Sequence, residues 1–412
     1  MGKAKKAVLA LSALLLTVTM AGASVPPSAA AEEPLFTFVS MPDFLNTDIG
    51  DARIREGRGW DPGDPNSING RWRQALDVIL DDVAAENPDA VLVAGDLVEG
   101  HWDVDIDNTG IFGPVNTSSQ RLRAITNAGN LYYGEWKRRF KDRNLKVYPA
   151  VGDHEVGDNP WPEGSFKLRS VPTYKRVFAR NFTTFWGDGN RLAMRPVGTA
   201  YEDTAYAVRI ANTLIVTVDV FRRSKTGVTA TVNDGQLRWL DETLTDARAD
   251  GVKHIVVQGH TPVLIPVRYA HSSNMRLKGG ADSRFWQTLQ RHNVDMYLCG
   301  EVHDMTTLTD GVVQISHGAL AYWGEENYLL GRVYADRIEL ELKQFDGRVT
   351  DSDRMWNTSH KRPHEGVEFQ PGPKVVGTMT IDKSTGTTVR RDRTGYLTDG
   401  ESAEENGDDG PL

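Results

Sequence analysis

The chain has one cysteine, Cys299, among 412 residues, so no intramolecular disulfide framework can brace it. Cys299 sits inside the apolar run "VDMYLCGEV" and reads as a buried, inert thiol. Positive charge is also short, with 47 Lys and Arg facing 56 Asp and Glu for a formal net charge of −9. That balance excludes the broad basic surface that a nucleic-acid or anionic-membrane partner needs. No solenoid or propeller repeat is present. Beyond the N-terminal segment, no stretch is apolar enough to span a bilayer.

The N-terminal segment is different. Lys3, Lys5 and Lys6 precede "AVLALSALLLTVTMAGA", and small residues follow at Ala21-Gly22-Ala23 or Ala29-Ala30-Ala31. Charge, apolar run and small-residue site in that order read as a signal peptide over residues 1–31 rather than a membrane span. The expectation is a secreted, extracellular protein. Its maturation removes three lysines and leaves the rest still more acidic.

The body, 39% apolar and 25% charged over the whole chain, alternates apolar runs with helical patterns. That suggests layered α and β elements, an α/β (α+β) class. Strands are expected at "LFTFVSMPDF", "DAVLVAGDLV", "KVYPAVGD", "KHIVVQGHTPV" and "VDMYLCGEVHDMT". "TAYAVRI" and "TLIVTVDVF" read as adjacent strands. Helices are expected over about Gly70 to Glu86, from about Ser118 through Trp136, over "DGQLRWLDETLTDARAD" and over "DSRFWQTLQRHN". The Pro-bearing stretch Val156 to Pro172 reads as a stiff loop. One domain is expected over residues 35–347. A C-terminal extension over 348–396 is a candidate small β appendage, and 397–412 is an acidic tail of disordered composition.

Five strand runs end alike. "FVSMPDF" ends at Asp43, "VLVAGDLVEG" at Asp96 and "VYPAVGDHE" at Asp153 and His154. "IVVQGHTP" ends at His260, and "MYLCGEVHD" at Glu301 and His303. A single Gly-Asp is ordinary turn chemistry. Five ends of this kind, four with a preceding glycine that permits close approach, describe one metal-ligating cavity at the carboxyl edge of a sheet.

Taken in order, these blocks resemble the five signature blocks of calcineurin-like metallophosphoesterases, and "QLRWLDETL" resembles a helix of the purple-acid-phosphatase-like branch. The resemblance runs from about Phe38 to Ala319. It implies a four-layer α/β/β/α metallophosphoesterase sandwich, a hydrolase or phosphatase acting on small-molecule or polymeric phosphate esters, and two divalent metal ions as cofactors. By the same resemblance Asp96 bridges the two ions. Asp43 and His303 complete the first site, and Asp153, His260 and Glu301 the second. His154 faces the substrate as the catalytic residue, a task suited to an imidazole that titrates near neutrality.

This chain departs from the pattern at several of those positions. Leu45 stands where many members carry a histidine ligand, so Asn46 or Asp48 is the candidate replacement. Glu99 stands where purple acid phosphatases place a tyrosine, and is itself a candidate ligand. Asp153 replaces an asparagine and Glu301 a histidine. The second site is therefore richer in anionic oxygen, which among Mn, Mg, Ca, Fe and Zn favours a harder ion and a higher working pH. His317 is a candidate for orienting a ligand. His101 and Trp161 are candidates for the substrate pocket. Two functional readings stand at this point: a secreted metal-dependent phosphoesterase, and a secreted protein that keeps the fold and binds metal or ligand without turnover.

Overall fold

In a computed structural model, the described residues are 32–44, 70–98, 100, 102–103, 112–184, 192–265, 267, 275–318, 326–349, 356–357, 362–363 and 367–400. The expected signal peptide (1–31) and the tail beyond residue 400 lie outside them. Among the described residues no helix is long and apolar enough to cross a membrane.

Three parallel strands start the first sheet: β1 (Phe36–Ser40), β2 (Ala90–Val93) and β3 (Val147–Pro149). Helices α1 (Gly70–Ala85) and α2 (Ser118–Asp142) make the crossovers. A reciprocal cap starts α2, with the Thr117 side chain accepting from Gln120 N–H while the Gln120 side chain accepts from Thr117 N–H. Helix α3 (Phe166–Phe182) follows, then the hairpin β4 (Tyr206–Ile210) and β5 (Thr213–Thr217). A small separate hairpin, β6 (Phe221–Arg223) with β7 (Val228–Ala230), precedes helix α4 (Asp234–Ala249).

Strand β8 (His254–Gln258) lies parallel to β5, helix α5 (Arg284–Arg291) comes next, and β9 (Met296–Cys299) is parallel to β8. Strands β10 (Thr306–Asp310) and β11 (Val312–Ser316) complete a six-stranded sheet of order β10-β11-β9-β8-β5-β4. The chain then returns to the first sheet. There β12 (Asn327–Val333) pairs antiparallel with β1, and β13 (Arg337–Val349) pairs with β12. After the short pair β14 (Trp356–Asn357) and β15 (Arg362–Pro363), β16 (Val367–Asp382) and β17 (Val389–Gly395) extend that sheet. Its order is β17-β16-β13-β12-β1-β2-β3. The segment set apart in the sequence as an appendage is thus the outer edge of the main sheet.

Period-two alternation sorts the strand residues between two cores. Phe38, Ala90, Leu92 and Tyr148 of the first sheet meet Ile215, Val256, Met296 and Leu298 of the second in one buried cluster between the sheets. Val39, Val91 and Val93 point the other way and pack with Leu76, Ile79 and Leu80 of α1 and with Trp136 of α2. Ile255 and Val257 do the same with Leu240 and Leu244 of α4 and with Phe285 of α5. The result is the four-layer α/β/β/α sandwich. Two polar ties hold the carboxyl ends of the sheets together: Gln258 Nε2 donates to the Tyr148 carbonyl at 2.8 Å, and Tyr206 O–H to the Pro149 carbonyl at 2.8 Å.

Helix α3 corrects the expectation of a loop reaching Pro172. A proline inside a helix removes the bond to the carbonyl four residues back, here that of Leu168. Arg223 Nε supplies the missing donor to the Leu168 carbonyl at 2.7 Å, and the Ser165 side chain caps the helix start. The helix persists because a distant arginine satisfies the acceptor that proline leaves open.

Candidate metal centre

The candidate ligands sit where the backbone leaves its strands abruptly. Asp43, Asp96, Glu301 and His303 have φ of 54°, 57°, 72° and 51°. Residues with a Cβ rarely adopt this left-handed region, and such outliers gather at functional sites. Loop-to-loop bonds hold the turns, including Asp43 N–H to the Gly95 carbonyl at 3.1 Å and Gly300 N–H to the His260 carbonyl at 2.9 Å. Glycine is needed for the approach of the carboxylates. A Cβ on Gly152 would lie 2.1 Å from Asp96 Oδ1, and one on Gly300 would lie 2.3 Å from Asp43 Oδ2.

Three overlapping groups result, each with its donor atoms within 4.8 Å of one another: Asp43–Asp96–His260, Asp96–Asp153–His154 and Asp153–His260–Glu301. His260 is the hub. Its ring is fully buried, Nδ1 lies 2.9 Å from the Ala94 carbonyl, and a carbonyl can only accept, so Nδ1 carries the proton. Its Nε2 faces Asp96 Oδ2 at 3.3 Å, Asp153 Oδ1 at 3.2 Å and Glu301 Oε2 at 3.2 Å. A neutral ring would aim a lone pair at three oxygens.

The protonation preferences follow from that crowding. Burial, outweighing His260, pushes Asp43 up to about 7. Burial, reinforced by the neighbouring Asp153 charge, raises Asp96 well above the usual carboxylate range. For Asp153, burial acts in the same direction but is overcome by His154, His260 and the Asn159 amide, so its carboxyl lies far below that range. Burial opposes charging of His260, yet Asp96, Asp153 and Glu301 raise it well above its ordinary value.

His154 lies at the edge of the cluster, 8% exposed, with Nε2 3.9 Å from Asp96 Oδ2 and 3.8 Å from Asp158 Oδ1. His303 adjoins the cluster through Asp43, Nε2 to Oδ1 3.8 Å, but is a member of none of the three groups. His317 is buried, with Nδ1 3.1 Å from Asn327 Oδ1 and Nε2 2.9 Å from Ser40 Oγ; burial pushes it down to about 4, so it is neutral. Trp161 lies behind the cluster, donating Nε1–H to the Val156 carbonyl at 2.9 Å. Its ring centroid is 6.1 Å from that of Phe221, which is 5.9 Å from the His260 ring. Asn46, Asp48, Glu99 and His101, like Leu45, lie outside the described residues.

Sequence reasoning missed three participants. Glu155 accepts from the N–H groups of Asp96, Leu97 and Gly152 at 2.8, 2.9 and 2.7 Å. Asn159 donates to Asp153 Oδ2 at 2.8 Å. Asp219 is buried at the end of β5, takes Lys175 Nζ at 2.6 Å and Phe221 N–H at 3.0 Å, and so sets the Phe221 ring against His260. Only Glu155 carried a signal, as the last letter of "GDHE".

A sandwich of two facing sheets, with carboxylates and imidazoles converging at strand ends, defines a class of metal-dependent phosphoester hydrolases. The family model for calcineurin-like phosphoesterases matches residues 48–305, and the chain belongs to that family. The match begins after Asp43. Among solved structures, PhoD is similar at TM-score 0.51 and 11% identity, covering 91% of this chain and 75% of that one. A dimetal phosphatase from Danio rerio is similar at TM-score 0.46 and 15% identity, covering 76% and 97%. A purple acid phosphatase from yellow lupin seeds is similar at 0.44 and 11%, covering 75% of this chain and 51% of that one. No curated protein matches.

Proposed function

We propose that the chain is a secreted phosphoesterase that hydrolyses phosphate mono- or diesters at a two-metal centre. The observation that carries this reading is His260, whose Nδ1 proton is committed to Ala94 while its buried Nε2 faces three carboxylates at 3.3, 3.2 and 3.2 Å. Asp43 Oδ2, also buried, has no hydrogen-bond partner. Such a donor set fits divalent cations, because added positive charge would offset the mutual repulsion of the buried carboxylates.

Asp96, a member of two of the three groups, would bridge the ions. Asp43 and His303 would hold one of them, and Asp153, His260 and Glu301 the other. Bound there, two divalent ions would supply charge to the phosphoryl oxygens and make a water more acidic and so more readily nucleophilic. His154 would hold a phosphoryl oxygen or pass its Nε2 proton to the leaving oxygen. With Asp153 and Glu301 as ligands, the second ion would be a hard one such as Mn²⁺, Mg²⁺ or Ca²⁺.

The test compares wild type with His154→Ala on aryl phosphate monoesters and diesters, each divalent metal in turn. Metal-dependent turnover that falls by about 10²-fold or more in the variant is expected. No turnover above the variant under any metal would instead leave a non-catalytic binding protein on the same fold. Full activity with stoichiometric zinc would reject the hard-ion assignment. Secretion is checked by the N-terminus of protein recovered from the medium, expected after Ala23 or after Ala31.

A further inference from the structure

A second charged site lies at the other end of the second sheet. The metal cluster follows the carboxyl ends of β8 and β9, whereas a cavity of about 510 Å³ opens beside their amino ends. Its lining includes Arg248, Lys253, Lys383 and Arg390 with Thr387 and Thr388, and no carboxylate among the described residues. Its volume is within the range of small-molecule pockets and exceeds what a lone water would need.

Most of that positive charge is held in place without being neutralised. Arg248 donates to the carbonyls of His292 (2.9 Å), Val252 (2.8 Å), Lys253 (2.9 Å) and Asn293 (2.6 Å). These bonds fix the guanidinium but leave its charge. Lys383 Nζ meets the buried Asp295 Oδ1 at 2.5 Å, and Asp295 spends its other oxygen on Ile255 N–H at 2.7 Å. Among the described residues Asp295 is the carboxylate in contact with this group, and Asp399 acts on Arg390 from farther off. Arg390 donates Nη2–H to the Gly311 carbonyl at 2.6 Å, while its Nε–H is buried without an acceptor. Burial lowers the Lys383 amine below its ordinary range against the pull of Asp295, with a smaller push in the same direction from Arg248 and Arg390. All this sits in a chain of net charge −9, where a basic concavity runs against the prevailing field.

We propose that this cavity binds a phosphate-type oxyanion, free or carried on a small molecule. Arg390 and Lys253 would supply charge-assisted bonds, and the Thr387 and Thr388 hydroxyls further donors. The ligand would also act as a clamp. Lys383, Thr387, Thr388 and Arg390 belong to the β16–β17 hairpin of the first sheet, while Arg248 lies on helix α4 and Lys253 in the turn that leads into β8 of the second. Occupancy would therefore tie the β16–β17 hairpin to helix α4 and the start of β8, and stabilise the fold by linkage. None of this depends on the metal cluster.

The test uses full-length protein stripped of metal by chelation, so that no turnover occurs. Inorganic phosphate and glycerol 3-phosphate are titrated against chloride at matched ionic strength, followed by calorimetry and by thermal unfolding. Saturable binding with a rise in Tm is expected. It should weaken about tenfold or more in Arg390→Gln and in Lys253→Gln, each removing one charged donor, and remain unchanged in Asp153→Asn. Lys253 is exposed, so its variant folds even if Arg390→Gln does not. Tighter binding of the ester assigns the ligand to a carried phosphate, and equal binding to the free ion. No saturable effect beyond chloride, undiminished binding in Lys253→Gln, or loss in Asp153→Asn would each overturn the proposal.

Discussion

Glu155 fastens Asp96 in place. The Asp96 N–H donates to Glu155 Oε2 at 2.8 Å, and the same carboxylate takes the N–H of Leu97 at 2.9 Å and of Gly152 at 2.7 Å. The turns after β2 and β3 are thereby locked in register, with the Asp96 side chain aimed at His260 and His154. A buried carboxylate serving three backbone donors is a structural strut, and the candidate bridging ligand depends on it.

Glu155→Ala should therefore cost more than a lost side chain. Three buried N–H groups would lose their acceptor, at roughly 1–3 kcal/mol each with partial relief from relaxation. The expected loss in urea unfolding is roughly 3–6 kcal/mol, together with loss of metal binding. A variant as stable as wild type would show that the strut is dispensable.

Gly300→Ala probes the packing of the cluster with little cost to the core. The added methyl would sit 2.3 Å from Asp43 Oδ2, so Asp43 must swing away. Metal affinity should fall by tenfold or more, about 1.4 kcal/mol or greater, with a smaller change in stability. Gly134→Ala is the control. Gly134 is exposed on α2, and a Cβ there would have no neighbour within 4 Å. Alanine at this position should stabilise by up to about 1 kcal/mol.

The raised carboxyls set a pH dependence for the metal-free protein. Asp43, raised from its ordinary value to about 7 by burial, binds a proton more tightly folded than unfolded. Its contribution is fully present below about pH 4 and is lost as pH rises through about 7. Asp96 is raised too and acts in the same direction. Asp153 is lowered, so its contribution is lost only as pH falls below the ordinary carboxylate range. Added Mn²⁺ competes with those protons, so the metal-induced rise in Tm should be larger at about pH 7.5 than at about pH 5. A rise independent of pH would contradict the protonation pattern.

The strand ends were legible in the sequence because each couples an apolar run to a side chain of metal-ligating type. Asp43, Asp96, Asp153, His260 and Glu301 needed only to be read together. The left-handed backbones of Asp43, Asp96, Glu301 and His303 were not legible, since three of these four are acids, a type that turns also use. Glu155 escaped notice because its work is done on backbone N–H groups, which leave no trace in a sequence pattern. Helix α3 was hidden by Pro172, whose orphaned acceptor is met by Arg223 from 55 residues away. The outer strands β16 and β17 were obscured because they carry many exposed polar positions, so their alternation is weak.

The most direct measurement is metal content against turnover, for wild type and Asp96→Asn purified alike. A two-metal phosphoesterase should carry two divalent ions per wild-type chain and hydrolyse phosphoesters in a way that chelation abolishes and metal restores. The variant should lose both ions and activity. Equal turnover by the metal-free wild type, or by an Asp96→Asn protein without bound metal, would contradict that assignment.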